Sequence, residues 1–485
     1  MLTSHRDSPL YTIANPESIA FFGASGHPLR MGSIMLSSLI ALGYEGAVYP
    51  IHPEEKQIQG FTAYRSVDEI PAVPDLAIIV LPTNIVSRTL EECGRKGIRH
   101  AAIISGGFAE SGDSGVDLQR ELARIADTCG IRFLGPNCLG VVNTHLKFNP
   151  TPIQAEGPPG FVGLASQSGS FLTQMHNYLY RIGLGFSTAF SVGNEANIDL
   201  VDCIEYLGAC PDTKVIALYI EGIRRGKDFI RMARSVVPRK PIVALYAGGS
   251  EAGRRAGVSH TGALAGPDEI YDSMFRQCGI IRAFNLTELF DYCLALGNLP
   301  KPAGRRVVIQ THSGGPGATA ADSCGRAGLE VPALSSDTID ALKPYLPNTA
   351  SLQNPVDITF SKDIMNEFRE IPDVLLRDTN TDILMIYILS PHIFVKPMLE
   401  RTGMKPDKAA EETVAMMDRL GDSFIEVTKK YDKPVVVYTY RSLQEQLMRS
   451  LLEKGIPAYN DPDRAARSLA ALLRYYEMRE RSTAS

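Results

Sequence analysis

The chain has 485 residues, of which 44% are hydrophobic and 21% are charged. This composition is ordinary for a globular protein and excludes a disordered or fibrous chain, and the length predicts two to four domains. With 49 basic and 54 acidic residues the formal net charge is −5. A chain of this charge is not expected to bind nucleic acid, which would require a basic face.

The eight cysteines do not form a CxxC pair, so the sequence predicts no metal site and no disulfide framework. The amino-terminal residues have no apolar segment of the kind found in signal peptides. The longest apolar runs, such as residues 76–81, have the length of a buried strand and are far too short to span a membrane. We therefore expect a cytoplasmic protein with reduced thiols and no membrane segment.

Two segments rich in proline and glycine, residues 149–160 and 300–306, interrupt the apolar pattern. Clusters of this kind are typical of connections between domains. They divide the chain into three domains of ordinary size, which we predict at residues 1–150, 160–300 and 305–485.

The first predicted domain alternates short apolar runs with amphipathic stretches. We predict strands at residues 18–23, 46–51, 75–81 and 100–105, and helices at residues 31–42 and 85–96. Alternation of strands and helices indicates an α/β domain with a parallel sheet, and we expect a Rossmann-like fold.

A glycine-rich turn follows the first predicted strand. Gly23, Ser25 and Gly26 lie in this turn, and Gly32 precedes the next helix. The spacing is not GxGxxG, and the second strand ends in His52-Pro53 without an acidic residue at its tip, although Glu54 follows shortly after. The pattern weakens an NAD-binding interpretation and fits a mononucleotide or coenzyme A better.

The second and third predicted domains resemble each other in sequence. Residues 161–170 correspond to residues 306–315, each an apolar strand that ends in a turn rich in serine and glycine, and residues 215–220 correspond to residues 383–388. A repeat of this length indicates one folded domain that has been duplicated. We predict two flavodoxin-like α/β domains.

The differences between the two copies point to chemistry. Residues 248–266, which contain His260, are largely absent from the second copy, and Glu221 stands where the second copy has Leu389. A carboxylate at the end of a parallel strand lies where such sheets place their ligands, and it can orient an imidazole. The alternative is that His260 caps a helix or packs in the core and that Glu221 is an ordinary surface or capping charge.

Ser166-Gln167-Ser168-Gly169-Ser170 connects a predicted strand to a helix. The N–H groups at the start of that helix can bind an anion, and we predict a phosphate site at Ser168, Gly169 and Ser170. A plain strand-to-helix turn is the alternative. The corresponding turn at residues 313–317 is either a second site or an inherited turn without a ligand.

Together these motifs carry a family resemblance. Gly135-Pro136-Asn137-Cys138-Leu139-Gly140, Ser166-Gln167-Ser168-Gly169, Tyr219-Ile220-Glu221-Gly222 and the segment from Ser259 to Gly266 occur in the order and spacing of one family. The chain resembles, over nearly its whole length, the α subunit of NDP-forming acyl-CoA synthetases. These are acetate–CoA ligases (ADP-forming), related to succinyl-CoA synthetase, and the third domain matches the acetate type.

The resemblance implies a function in which acyl-CoA, phosphate and ADP are interconverted with a small carboxylic acid, coenzyme A and ATP. It implies that an acyl phosphate phosphorylates His260, that Glu221 holds the imidazole, and that the loop carrying His260 moves to a nucleotide site. It also implies a coenzyme A site in the first domain, formed by Gly23, Ser25, Gly26, Gly32, Leu81, Pro82, Thr83 and Asn137.

Nothing in the sequence resembles an ATP-grasp domain. We therefore expect an ATP-grasp β subunit that binds ADP or ATP with Mg²⁺, in an α₂β₂ assembly. The chain departs from the family at His52-Pro53-Glu54, where Asn-Pro-Lys is usual, and at Tyr246 and Gly249, where Lys and Arg are usual. The alternatives are a regulatory protein that binds coenzyme A without catalysis and a nicotinamide oxidoreductase.

Overall fold

The computed structural model describes residues 4–154, 157–253, 266–359, 363–389 and 391–484. The chain forms two compact units, one made of Met1–Tyr180 with Leu184–Leu289 and the other of Arg181–Gly183 with Phe290–Ser485. None of the helices within the described ranges is long and apolar enough to cross a bilayer.

The first unit begins with a parallel sheet and a small hairpin. The strands are β1 Ser18–Phe22, β2 Ala47–Ile51, β3 Gln57–Ile58, β4 Phe61–Thr62, β5 Leu76–Ile79, β6 His100–Ile103 and β7 Arg132–Leu134. The helices are α1 Pro9–Ala14, α2 Met31–Leu42, α3 Thr83–Lys96 and α4 Asp113–Cys129, with short 3₁₀ turns at His5–Asp7, Val67–Glu69 and Ala109–Ser111. The strand order is β2-β1-β5-β6-β7, all parallel, and β3 pairs with β4.

The packing of this sheet follows from its sequence. Every residue of β5 is buried, as expected for the central strand of a parallel sheet covered on both faces. On α3, Val86, Leu90 and Cys93 recur at helical spacing and are buried in the core beside the sheet. The predicted strands and helices of this domain are therefore confirmed, with ends that differ by at most two residues.

The first unit continues with a second sheet. Its strands are β8 Val141–Asn143, β9 Val162–Ser166, β10 Phe186–Ser191, β11 Val215–Ile220, β12 Ile242–Tyr246 and β13 Ile281–Ala283. Its helices are α5 Gly169–Arg181, α6 Leu200–Ala209, α7 Gly226–Val236, α8 Asp268–Cys278 and α9 Leu286–Asn298, of which α9 begins in this unit and ends in the second. The order is β13-β12-β11-β9-β10-β8, and only β8 is antiparallel among these strands.

The second unit contains the third sheet. Its strands are β14 Val307–Thr311, β15 Val356–Asp357, β16 Ile383–Tyr387, β17 Val435–Tyr438 and β18 Ala458–Tyr459. The helices are α10 Gly314–Arg326, α11 Ser336–Leu342, α12 Ile364–Phe368, α13 Glu370–Arg377, α14 His392–Arg401, α15 Pro406–Thr428, α16 Gln446–Glu453 and α17 Pro462–Ala484. The order is β15-β14-β16-β17-β18, all parallel.

The second and third sheets share one topology. When the parallel strands of each sheet are counted from its own first strand, the order is 2-1-3-4-5 in both, which is the flavodoxin-like order. The predicted duplication therefore extends to the strand order, and the predicted α/β fold is confirmed. In such a sheet the ligand site lies at the carboxyl ends of the strands, where the order reverses. In the second sheet this point lies between β9 and β11, and in the first between β1 and β5.

Candidate functional site

The glycine-rich loop after β1 packs tightly against the turn after β5. Gly23 has a φ of +99°, and a Cβ atom there would lie 2.0 Å from the carbonyl oxygen of Val80. A Cβ on Gly32 would lie 2.4 Å from the carbonyl oxygen of Gly23. Both positions therefore require glycine, since any side chain would separate the loop, the β5 turn and the start of α2.

Two amides of this loop already have partners within the chain. The N–H of Ser25 donates to Oγ of Ser33 at 3.0 Å. The N–H of Gly26 donates to Oε2 of Glu55 at 2.7 Å, so a carboxylate lies where the sequence places an incoming phosphate. His52 shapes the turn that brings Glu55 back, because its Nδ1 accepts the N–H of Glu55 at 3.1 Å.

The turn after β5 is locked to the turn after β6. Oγ of Ser105 donates to the carbonyl of Leu81 at 2.6 Å and accepts its N–H at 3.0 Å. Oγ1 of Thr83 donates to the carbonyl of Gly106 at 2.6 Å. The N–H of Asn137 donates to the carbonyl of Ser105 at 2.9 Å. Leu81, Thr83 and Asn137, which the sequence places in one site, are thus held next to each other.

The predicted phosphate turn has the expected strand-to-helix geometry. Gly169 is the first residue of α5, so the N–H groups of the first helical turn have no partner within the helix. Oγ of Ser166 donates to the carbonyl of Ser168 at 2.7 Å, and the hydroxyls of Ser168 and Ser170 lie 3.3 Å apart. A Cβ on Gly169 would lie 3.0 Å from Cγ of Leu139, so this glycine allows the two turns to approach.

A cavity of about 510 Å³ lies between these turns. It is lined by Met31, Val80, Leu81, Pro82, Ile104, Ser105, Asn137, Cys138, Leu139, Gln167, Ser168, Gly169, Ser170, Gly193 and Asn194. The structure thus brings six predicted residues around one space, three of the coenzyme A set and the whole phosphate set. The other predicted coenzyme A residues, Gly23, Ser25, Gly26, Gly32 and Thr83, are not among the lining residues. The lining does include Met31, the first residue of α2, and Val80, which follows β5.

The two walls of the cavity are joined by a polar contact. Nδ2 of Asn194 donates to Oε2 of Glu110 at 2.5 Å, and Nδ2 of Asn137 donates to Oδ1 of Asn194 at 3.3 Å. Burial opposes ionisation of Glu110, but the hydrogen bonds from Asn194 and from backbone amides prevail and lower its pKa. Glu110 is therefore ionised at neutral pH and holds Asn194 at the edge of the cavity.

Glu221 directly follows β11 and is buried. Its N–H donates to Oε1 of Gln167 at 2.5 Å, and Oε1 also accepts the N–H of Gly222 at 3.0 Å. Nε2 of Gln167 donates to the carbonyl of Gly222 at 2.7 Å. Gln167 therefore ties the end of β11 to the phosphate turn after β9.

The segment that carries His260 begins beside Glu221. Ile220 pairs with Tyr246 in the sheet, and the N–H of Ala247 donates to the carbonyl of Ile220 at 2.8 Å. The hydroxyl of Tyr246 donates to the carbonyl of Gly266 at 2.8 Å, so the two ends of the segment lie close together. His260 itself lies outside the described residues. Residues 251–253, at the start of the segment, are helical.

The two positions that depart from the family pattern here have local partners. Tyr246 stacks on Tyr271 with ring centroids 3.7 Å apart. A Cβ on Gly249 would lie 2.0 Å from Oδ1 of Asp268, whose carboxylate pairs with Arg282 at 2.5 Å. A side chain at residue 249 would therefore displace this ion pair.

The equivalent turn of the third sheet carries a histidine of its own. Nε2 of His312, at the end of β14, lies 3.1 Å from Oε2 of Glu367. Both side chains are largely buried. The structure thus gives His312 a carboxylate partner, which the sequence comparison of the two copies did not reveal.

Two family models match the chain. A coenzyme A binding domain matches residues 17–144, and a succinyl-CoA ligase-like flavodoxin domain matches residues 159–296. The α subunit of an ADP-forming acetate–CoA ligase II from Pyrococcus furiosus is 39% identical over 95% of this chain and 96% of its own length. The chain belongs to the ADP-forming acetate–CoA ligase family. It is accordingly a ligase, as the motifs predict, and the nicotinamide oxidoreductase alternative falls away.

A solved structure and a further relative agree with this family assignment. An acetyl-coenzyme A synthetase from Ca. Korarchaeum cryptofilum, solved in complex with phosphate and ADP, superposes with a TM-score of 0.85 at 31% identity and 98% coverage of both chains. A second family member, the ADP-forming acetate–CoA ligase I of Archaeoglobus fulgidus, is 38% identical over 95% of this chain but extends well beyond it, since the match covers 63% of its length.

Sequence reasoning within this family missed the contacts that organise the site. In the sequence Gln167 stands out only as part of a turn motif, whereas in the structure it connects three segments. The sequence draws attention to Glu54 as an acidic residue beyond the end of the second strand, whereas the structure shows that its neighbour Glu55 contacts Gly26. Asn194 and Glu110 were not considered, because they come from distant parts of the chain and carry no local motif.

Proposed function

We propose that this chain is the α subunit of an ADP-forming acyl-CoA synthetase that forms an acyl phosphate in the cavity described above and passes its phosphoryl group to His260. The observation that carries the proposal is the shared cavity. Leu81, Pro82 and Asn137 line it from the coenzyme A domain, and Ser168 to Ser170 line it from the start of α5. A thioester and a phosphate must meet for this reaction, and the two sets of residues face one space.

In the first step a phosphate oxygen attacks the thioester carbonyl, the carbon–sulfur bond breaks, and coenzyme A leaves as the thiol. The phosphate is bound at Ser168, Gly169 and Ser170, where the helix dipole and the first N–H groups of α5 favour an anion. Because the same amides also contact the acyl phosphate, they stabilise charge on the transferring group.

In the second step an imidazole nitrogen of His260 attacks phosphorus, and the carboxylate of the acid leaves. One ring N–H of His260 donates a hydrogen bond to the carboxylate of Glu221. This bond orients the other ring nitrogen for the attack. The start of the segment beside the end of β11 supports this pairing, since Ala247 bonds to the residue that precedes Glu221. The phosphohistidine then transfers its phosphoryl group to ADP.

Coenzyme A is bound by the first domain. Its pyrophosphate lies at the loop from Gly23 to Gly32, where Gly26 offers its N–H once Glu55 has moved away. The pantetheine arm runs past Leu81, Pro82 and Thr83 towards Asn137. The tight packing at Gly23 and Gly32 supports this placement. Because neither glycine has a side chain, the loop can lie directly against the neighbouring backbone, and a ligand can approach the loop closely.

The nucleotide site lies on a partner. We propose an ATP-grasp β subunit that binds ADP or ATP with Mg²⁺, an α₂β₂ assembly in the cytoplasm, and a small carboxylic acid as substrate. Within the chain, we propose that the coenzyme A domain, the phosphohistidine domain and the second flavodoxin-like domain occupy residues 1–150, 160–300 and 305–485.

Reconstitution tests this function. The purified chain is mixed with acetyl-CoA, phosphate, ADP and Mg²⁺, with or without a co-expressed ATP-grasp subunit, and both ATP and thiol are measured. We expect ATP only when both subunits are present, and none with His260→Ala. ATP formation by the single chain would contradict the need for a partner. No ATP with acetyl-CoA or a panel of other short acyl-CoA esters would contradict the function.

A further inference from the structure

Glu195 lies behind the cavity and contacts Gln167. It follows Gly193 and Asn194, which line the cavity, and its Oε2 accepts a hydrogen bond from Nε2 of Gln167 at 2.8 Å. Its other oxygen, Oε1, accepts the N–H of Leu200, the first residue of α6, at 2.9 Å. Both carboxylate oxygens therefore face donors.

This contact decides which way the amide of Gln167 points. A glutamine amide can rotate by half a turn, which exchanges its donor and its acceptor. An ionised carboxylate has no hydrogen to donate, so Glu195 accepts only the NH₂ group of Gln167. In that orientation the carbonyl of Gln167 faces the backbone N–H groups of Glu221 and Gly222, and both bonds form.

The charge state of Glu195 is set by its surroundings. Burial raises the pKa of Glu195 to about 7, and the hydrogen bonds from Gln167 and Leu200 act against this rise. The charged or titratable groups that face it are Asp199, which caps α6, Cys203 from α6, Arg224 from the segment after β11, and Tyr271 from α8. Arg224 donates through Nη1 to the backbone carbonyl of Glu195 at 3.2 Å.

We propose that Glu195 is a positioning residue for phosphoryl transfer: its ionised carboxylate fixes the amide of Gln167, which holds the Glu221–Gly222 backbone against the phosphate turn. Protonation of Glu195 puts a hydrogen on one of the oxygens that accept from Gln167 and Leu200. The carboxyl group then no longer selects this orientation of the Gln167 amide. The acid acts through Gln167 and does not touch the substrate. The inference rests on the proposed function and adds a positioning residue to the same site.

The test is a pH profile of the full chain with its ATP-grasp subunit, with acetyl-CoA, phosphate and ADP as substrates. In the wild type we expect kcat to fall as the pH decreases through about 7, because Glu195 becomes protonated. In Glu195→Gln we expect kcat at pH 8 to be lower by about tenfold, KM for acetyl-CoA to be little changed, and this inflection to be absent. Glu205→Gln, on the neighbouring helix α6, is the matched control and should retain the wild-type profile.

The outcomes are separable. If the wild type is active and Glu195→Gln keeps both its kcat and an inflection near pH 7, the role of Glu195 is overturned while the function stands. If the wild type makes no ATP from any acyl-CoA, the function itself fails. Glu195→Asp keeps the charge but withdraws the carboxylate by one methylene, so it serves where Glu195→Gln does not fold. For Glu195→Asp we expect a lower kcat than in the wild type and an inflection at a different pH. A pH profile of Glu195→Asp that equals that of the wild type overturns the proposal.

Discussion

Oε2 of Glu55 lies 2.7 Å from the backbone nitrogen of Gly26 and accepts its hydrogen bond. The two residues are 29 positions apart, and the contact joins the loop after β1 to the turn after β2. A carboxylate in this position satisfies an amide that the proposed function assigns to a pyrophosphate. If the proposed function is correct, Glu55 and the pyrophosphate of coenzyme A, both anions, compete for the same N–H.

Removing this competitor should strengthen coenzyme A binding. For Glu55→Gln we expect the dissociation constant of coenzyme A to fall by about threefold to tenfold, because one charged competitor and its repulsion are lost. Calorimetry on the full chain at constant ionic strength measures the change, with Glu45→Gln, at an exposed position, as the control. Weaker binding in Glu55→Gln would show that Glu55 assists the ligand instead.

The loop geometry itself depends on Gly32. In Gly32→Ala the new methyl group would lie 2.4 Å from the carbonyl oxygen of Gly23, so the loop and the start of α2 must separate. We expect a loss of coenzyme A affinity of at least tenfold, measured by calorimetry. Gly226→Ala is the matched control, because its Cβ meets nothing within 4 Å, and its affinity should equal that of the wild type.

The contact between Asn194 and Glu110 should be sensitive to charge. Asn194→Asp places a second carboxylate next to Glu110, and we expect the free energy of unfolding at pH 7 to decrease by about 2 kcal/mol. The hydrogen bonds that lower the pKa of Glu110 in the wild type stabilise the fold above its unfolded pKa, and this stabilisation is lost as the pH falls through the lowered pKa.

The deficit of Asn194→Asp should therefore shrink in acid, because protonation of either carboxyl of the pair removes the repulsion between them. Urea unfolding at pH 7 and pH 4 measures it. A deficit that is equal at both pH values would exclude charge repulsion as the cause.

Glu195 should make stability depend on pH in the opposite direction from Glu110. Because burial raises its pKa from the ordinary value of 4.5 to about 7, the stability it contributes is fully present below about 4.5 and is lost as the pH rises through about 7. We therefore expect the stability of Glu195→Gln relative to the wild type to increase between pH 5 and pH 8. Thermal unfolding of both proteins across this range tests the expectation, and a constant difference would contradict it.

The sequence predicted the parts of the site that lie in local motifs. Ser168, Gly169 and Ser170 follow a strand and open a helix, and that arrangement alone specifies the turn. The same holds for the loop at Gly23, where glycine spacing marks a close backbone approach. The apolar runs that the two copies share predict a common strand order for the second and third sheets, and the order is 2-1-3-4-5 in both.

The contacts that organise the site could not be predicted in the same way. Glu195 reaches Gln167 across 28 positions, and Asn194 reaches Glu110 across 84. No periodicity or spacing rule relates such pairs, since they are set by how two sheets and their connecting loops pack. Likewise, neighbouring Glu54 and Glu55 are equivalent in sequence, and only the turn formed at His52 determines which carboxylate reaches the loop.

The phosphohistidine is the central claim, and the duplicated domain supplies its control. His312 has a carboxylate partner at 3.1 Å in the equivalent turn, so it matches the chemistry proposed for His260 but lies on the other copy. The full chain is incubated with acetyl-CoA and phosphate, and an acid-labile phosphate is located by mass spectrometry.

We predict phosphate on His260 in the wild type and in His312→Ala, none in His260→Ala, and about tenfold less in Glu221→Gln, because the imidazole loses the carboxyl group that is proposed to orient it. Phosphate on His312, or an unchanged yield in His260→Ala, would contradict the account.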